Sequence, residues 1–225
     1  MIPTLIIWLI KKYLLNSKKN KQHKHITALT KTIIPVILFV LFAIPAIAQR
    51  QAHRYIVLYR GKNVGAMYLT QIQSGDELSL KVTSNIQMHM LMSIKVNVAE
   101  ESSYKQDKLM SSSVYREVNG KQKANRQTRY CNGCYEIITE GKRSVLNKTS
   151  IQYNLVKLYC REPIGFTQVY SDAVQQFLNL KALSAHKYKL ELPDGNYNVY
   201  SYQNGICSKV EVHNTFYTIQ MQLVE

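Results

Sequence analysis

Four cysteines, a run of methionines and one acid locked against a proline are the residues of this 225-residue chain whose types and spacing could do chemistry. Cys131-Asn132-Gly133-Cys134 has the C-x-x-C spacing of redox centres. Thioredoxin-type dithiols sit at a helix N-terminus, where backbone N–H groups lower the thiol pKa, whereas here an Asn-Gly turn joins strand-like flanks. Across such a tight hairpin the two Cα atoms stand about 5.5 Å apart, within reach of a structural disulfide. A bridge from Cys160 to Cys207 is equally open to an exported chain, and spacing alone does not choose the pairing. Only one of the pairs has zinc-ligand spacing, so no metal site is expected.

Met88-His89-Met90-Leu91-Met92 invites a copper reading, because thioethers suit Cu(I). On a strand, however, Met88, Met90 and Met92 share one face while His89 turns to the other, which makes them core side chains. Lining the concave side of a curled sheet, these three methionines are also candidate contacts for a variable apolar ligand. Enzyme signatures are missing: the chain has no G-x-S-x-G elbow, no H-E-x-x-H and no phosphate-cradling glycine loop. Glu100-Glu101 reads as the exposed end of a strand rather than a glycosidase pair. No catalytic residue and no cofactor are expected. Sixteen tyrosines favour strands and offer either barrel packing or a carbohydrate platform.

The elements that must position these residues are strands. Leu78, Leu80, Val82, Ile86, Met88, Met90, Met92, Ile94, Val96 and Val98 all fall on even numbers, with Ser84 the one interruption and mostly polar residues between. At about 3.3 Å per residue this alternation would run roughly 70 Å, far beyond an ordinary strand of about 20 Å. It must bend, changing partners around Ser84 or His89, or break into two strands in phase. Turn signals such as Asn119-Gly120, Asn132-Gly133, Asp194-Gly195 and Asn204-Gly205 recur at hairpin spacing. Ten or more antiparallel strands follow. The fold expected is all-β, a single antiparallel meander forming a β-barrel or strongly curved sheet with one short helix. That helix is expected over Ser171–Leu178, where a capping residue precedes Val174, Phe177 and Leu178 at i, i+3 and i+4. Glu162-Pro163 is expected to end a strand before it.

Lys31–Gln49 holds a lysine, an apolar run and an Ala46-Ile47-Ala48 close, the marks of a secretory signal peptide cleaved after Ala48. The run is shorter than the ~20 apolar residues of a membrane span. Residues 1–48 are therefore a leader, of which 1–28 fit an upstream start that is not translated, and residues 49–225 form a single β-rich domain exported to the periplasm or cell envelope of a bacterium. Seven of the 29 basic residues lie in the leader, which leaves 22 against 14 acids and a net charge of +8. Nine basic residues gather between Lys105 and Arg143. In an exported protein this charge suits an anionic envelope surface, from lipid head groups to acidic polysaccharide, rather than nucleic acid.

At Leu158-Tyr159-Cys160-Arg161-Glu162-Pro163, with Tyr170, Phe177 and Tyr200-Ser201-Tyr202-Gln203-Asn204-Gly205 beyond it, the chain resembles an uncharacterised family of exported bacterial proteins catalogued as domain of unknown function number 6134. Val64-Gly65, Ser84, Tyr104, Leu109 and Asn214-Thr215-Phe216 extend the likeness over nearly all of the mature chain. Cys160 and Arg161 depart from it, standing where an aromatic and a second acid are common; Ser171-Asp172-Ala173 departs as well. The resemblance implies export and one β domain, and no chemistry. Tyr159, Glu162 and Pro163 are the motif residues to follow, Glu162 either accepting backbone N–H bonds in a turn or facing a ligand. The function expected is non-enzymatic binding of a hydrophobic or lipid-like ligand. The alternatives are a structural or interaction module of the envelope with a filled barrel, and an enzyme acting on envelope polymer.

Overall fold

Turns decide the topology. The computed structural model describes residues 48–89 and 93–224. Arg60-Gly61, Gln106-Asp107, Asn119-Gly120, Asn132-Gly133, Glu140-Gly141 and Asn204-Gly205 all take positive φ at both positions. This is the backbone of type I′ turns, whose twist matches the strands they join. They and longer turns connect β1 (Gln49–Tyr59), β2 (Lys62–Ser74), β3 (Glu77–His89), β4 (Ser93–Lys105), β5 (Lys108–Val118), β6 (Lys121–Cys131), β7 (Cys134–Thr139) and β8 (Lys142–Leu146). After a short helix α1 (Lys157–Cys160) come β9 (Gln168–Ser171), β10 (Gln176–Ser184), β11 (Lys187–Glu191), β12 (Tyr197–Gln203), β13 (Ile206–His213) and β14 (Thr218–Leu223). All fourteen strands form one antiparallel sheet in the order β8-β7-β6-β5-β4-β3-β2-β1-β14-β13-β12-β11-β10-β9.

The meander returns on itself at β1, whose Tyr55 and Tyr59 pair with Leu223 and Ile219 of β14. The sheet then curls until its two ends meet through side chains. Thr128 and Tyr170 hydroxyls stand 3.1 Å apart, Thr139 Oγ1 donates to Gln175 Oε1 at 2.6 Å, and the Ser112 hydroxyl donates to the Asp172 carboxylate. Strands β5 to β7 therefore face the β9–β10 hairpin across the interior. The sheet is rolled nearly into a barrel, and it is sealed by polar side chains in addition to its ladder.

The long alternation resolves into β3 and β4. They pair directly, Met88 with Ile94 and Ser84 with Val98, so even numbers stay inward on both strands. The break follows His89, the second of the two positions expected. An even sum in each pair keeps the same parity inward on both strands, and for that reason the pattern runs unbroken in the sequence. Register shifts at Val57/Leu58, Ser103/Tyr104 and Arg116/Glu117 mark bulges that add twist and let a wide sheet curl.

The helix is not where the local pattern puts it. Ser171 ends β9, residues 172–175 form a turn with Gln175 at φ 57°, and Phe177 and Leu178 belong to β10. The i, i+3, i+4 pattern loses because Asp172 is drawn into the interior by Ser112 and Asn154, and strand pairing of Phe177 with Tyr170 replaces the helical bonds. Among the described residues the helical turn lies instead at Lys157–Cys160, and Glu162-Pro163 follows that turn rather than a strand.

The interior is full. Tyr55, Tyr104, Tyr135, Tyr170 and Tyr200 are wholly buried, and the segment 151–162 runs inside the curl with Ile151, Asn154, Val156, Lys157 and Leu158 buried. That segment has few ladder bonds, so tyrosine hydroxyls supply them. Tyr135 accepts from Ile151 N–H, Tyr104 accepts from Asn154 N–H, Tyr202 donates to Leu158 carbonyl at 2.8 Å, and Tyr153 donates to Glu162 carbonyl. A buried irregular segment needs such partners, because an unsatisfied backbone group costs about 1–3 kcal/mol.

Candidate functional site

Two polar clusters hold the interior, one around Asn154 and Lys157 and one around Glu162. Asn154 donates to Ser102 Oγ at 2.7 Å and to Asp172 Oδ2 at 2.8 Å, while its Oδ1 accepts from Tyr104 hydroxyl and Lys157 N–H. Burial pushes the Asp172 carboxyl up from its ordinary value, opposed by the hydrogen bonds from Ser112 and Asn154. Glu100 also points inward, and burial followed by the Asp172 charge raises its carboxyl to about 7. Lys157 is enclosed by the rings of Tyr104 and Tyr153, 4.4 and 4.7 Å away, and bonded to Asp107 Oδ1 at 3.0 Å. Desolvation lowers its pKa, and the same bond lowers that of Asp107. This lysine is a structural rivet, since no face of it is left over.

Glu162 lies at the barrel end where α1 stops. Its backbone N–H donates to Gly205 carbonyl, and its carboxylate, 7% exposed, accepts from Tyr188 hydroxyl at 2.8 Å and stands 3.0 Å from His186 Nδ1. His186 is 68% exposed, in the β10–β11 turn at φ 59°. The carboxylate thus ties the motif loop to the β10–β11 turn and to β11, while the backbone N–H of the same residue ties it to the β12–β13 turn. Tyr159 packs edge-on against Tyr55 and Tyr200, and Pro163 is buried directly after Glu162. The Glu162 carboxylate accepts no backbone N–H among the described residues; its partners are the side chains of Tyr188 and His186.

The other candidates from the sequence separate in space. Met88 faces inward and is buried; Met90 and Met92 lie outside the described residues, as does the leader. Cys131 and Cys134 stand opposite each other in the β6–β7 register as expected, but all four cysteines are free thiols and no disulfide is present among the described residues. Cys134 Sγ points to Cys131 carbonyl, Cys160 Sγ to Lys157 carbonyl and Cys207 Sγ to Lys209 carbonyl, so each of these three thiols has its own acceptor. Burial raises Cys160 to about 11 and Cys207 to about 12, which makes both poor nucleophiles.

What residue spacing does not disclose is on the outside. A cleft of about 650 Å³ runs across the outer face of β1 to β6. One row of cross-strand partners forms its floor: Arg50, Ile72, Ser79, Ser103, Ser111 and Arg129, each paired with the next. A second row carries Thr70, Lys81, Glu101, Ser113 and Gln127, with Lys81 Nζ 2.7 Å from Glu101 Oε1. A third holds Tyr68, Thr83, Ala99 and Tyr115, its two tyrosines 52% and 40% exposed. The middle of the first row is low because Ser79, Ser103 and Ser111 are small, with an arginine at each end. Neither Arg50 nor Arg129 makes an ion pair among the described residues; Arg129 stands opposite Glu136 in the register, but that carboxylate is bonded to Arg143. The serines, scattered between residues 79 and 113, form no linear motif; only the register brings them into line.

The model of the family described as Domain of unknown function (DUF6134) matches residues 55–224. No curated protein matches the chain. Among solved structures it is similar to a crystal structure described as a beta-barrel-like protein of domain of unknown function DUF1849 from Brucella abortus. That likeness has 12% identity, covers 81% of this chain and 98% of that one, and has a TM-score of 0.49.

Proposed function

We infer that this chain, which belongs to the family described as Domain of unknown function (DUF6134), is an exported, non-enzymatic interaction module of the cell envelope that works through its outer face. The observation that carries this reading is the filled interior. A lipid-like ligand held inside the curl would need the room taken by Tyr55, Tyr104, Tyr135, Tyr170 and Tyr200 and by the segment around Leu158. Displacing packed aromatic side chains and their hydrogen bonds costs several kcal/mol, which an apolar ligand would have to recover from contacts no better than those it replaced. The cleft over β1 to β6 offers a large concave surface with unspent hydrogen-bonding capacity instead.

Catalysis draws little support from the same geometry. Asp172 is buried and bonded to Ser112 and Asn154, and the Glu162 carboxylate is engaged by Tyr188 and His186, so both acids are tied to structural partners. The test is a photo-reactive amino acid placed at Ser103, in the cleft floor, and at exposed Asn179 on β10 as the control. The expected result in an exporting cell is an envelope-dependent adduct at position 103 and none at 179. Equal labelling at both positions, or none at 103, overturns the reading.

A further inference from the structure

We propose that the outer cleft binds a linear acidic polysaccharide laid across strands β1 to β6, with Arg50 and Arg129 each taking a carboxylate at opposite ends; this rests on the outer-face reading above. The row from Arg50 to Arg129 crosses five strand gaps. At about 4.8 Å per gap the path between its ends is about 24 Å along the curved sheet. A guanidinium presents a planar fork of donors that matches a carboxylate in a two-point bond, and both of these are exposed and unengaged among the described residues.

The floor between them selects the ligand class. Ser79, Ser103 and Ser111 in one row and Thr70, Ser113 and Gln127 in the next offer donors and acceptors at every strand step. A chain of sugar hydroxyls matches such a surface, in whose two rows Ile72 is the one large aliphatic side chain turned outward. A protein partner would be expected to find a central aromatic or arginine anchor in a pocket, and the centre here holds only small hydroxyls beside the Lys81–Glu101 pair. Along the cleft margin, Tyr68 and Tyr115 lie in one row with Thr83 and Ala99 between them. Exposed tyrosine rings have an apolar face and a polar rim, the character that stacks on a sugar ring while leaving its hydroxyls solvated. The layout is balanced about the β3–β4 hairpin, with an arginine and a tyrosine on each side, as a ligand running across the strands requires.

The experiment uses the exported protein and oligogalacturonates of two to eight residues as probes in calorimetry, with fully methyl-esterified oligomers, inorganic phosphate and phosphatidylglycerol vesicles as comparisons. Affinity is expected to climb with length until the oligomer spans both arginines, and to vanish on esterification. R50A and R129A should each weaken the longest oligomer by five-fold or more. The shortest oligomer should lose far less in either variant, because it can use the other end. Y68A and Y115A should weaken the longest oligomer while K209A, on distant β13, should not. All five sites are exposed or half-buried surface positions, and unchanged melting temperatures would show that the variants fold. Length-independent binding, or binding unaffected by esterification, overturns the proposal. So does binding of vesicles with no binding of oligomers, which would assign the arginines to a lipid surface. If the Ser103 probe still labels an envelope component while no oligomer binds, the ligand class is wrong and the outer-face reading stands; if neither occurs, both fall.

Discussion

Replacing Glu100 by glutamine should make the protein more stable at neutral pH, an unusual direction for an interior substitution. Glu100 lies on the inward face of β4, opposite Val82 and Val114, with Asp172 the charge that disfavours its ionisation and Arg116 the one that favours it. Its carboxyl is raised from 4.5 to about 7, so the folded protein holds a proton there that the unfolded chain releases. A raised acid contributes stability at low pH that is lost as pH climbs from the unfolded value to the folded one, here between about 4.5 and about 7. At 1.36 kcal/mol per pH unit the full loss is about 3 kcal/mol, and because the side chain is only half-buried about 2 kcal/mol is the working figure. Glutamine keeps the shape and never ionises. Urea unfolding of the wild type and E100Q from pH 4 to 8.5 should give equal stabilities at pH 4 and a gap opening to about 2 kcal/mol in favour of E100Q by pH 8. A gap that is constant with pH, or that favours the wild type at pH 8, would refute the placement of an acid in this desolvated site.

Three further outcomes follow from single residues. Asn154→Ala removes four hydrogen bonds and strands Ser102, Tyr104 and Asp172 in the interior, so it should cost about 3–5 kcal/mol and lower the melting temperature by roughly 8–15 °C. Calorimetry showing a change under about 2 °C would mean the segment is not held as described. Gly65→Ala places a Cβ 2.2 Å from Asn85 carbonyl oxygen and 2.8 Å from Ile86 Cα, backbone atoms that cannot step aside. It should destabilise by about 2 kcal/mol or more and be read as a lower urea midpoint, whereas Gly133→Ala meets no atom and costs only turn strain. Alkylation of the native protein with iodoacetamide should modify Cys131 and Cys134 and spare buried Cys207 and half-buried Cys160, whose thiols are held protonated; four rapid additions by mass would contradict this.

Much of this fold is written in its turns. Asn119-Gly120, Asn132-Gly133 and Asn204-Gly205 announce the hairpins because few residues tolerate two successive positive φ angles, and these three turns fall where expected. His186 takes a positive φ without glycine, so the β10–β11 turn is silent in the sequence. The division into β3 and β4 is hidden by parity, since two paired strands that both keep even numbers inward look like one long strand. Ser171–Leu178 fails for a tertiary reason: its helical pattern is real, but Asp172 gains more from the buried partners Ser112 and Asn154 than from capping. Sixteen tyrosines suggest both packing and a sugar platform, and both kinds of position occur, with Tyr104 and Tyr135 inside and Tyr68 and Tyr115 outside. Which tyrosine goes where depends on register, and register depends on bulges such as Ser103/Tyr104 that no residue spacing discloses. The outer cleft is illegible for the same reason.

The central claim, that the interior is occupied by the protein itself and that binding takes place on the outer face, is met most directly by native mass spectrometry of residues 49–225 from an exporting host. Organic extraction of the same sample identifies anything carried along, and a known lipid carrier handled in parallel shows that the conditions retain lipid. The account expects the mass of the bare polypeptide and an empty extract. A reproducible lipid-sized adduct would contradict it, because Tyr55, Tyr170 and Tyr200 would have to leave the positions in which they are buried.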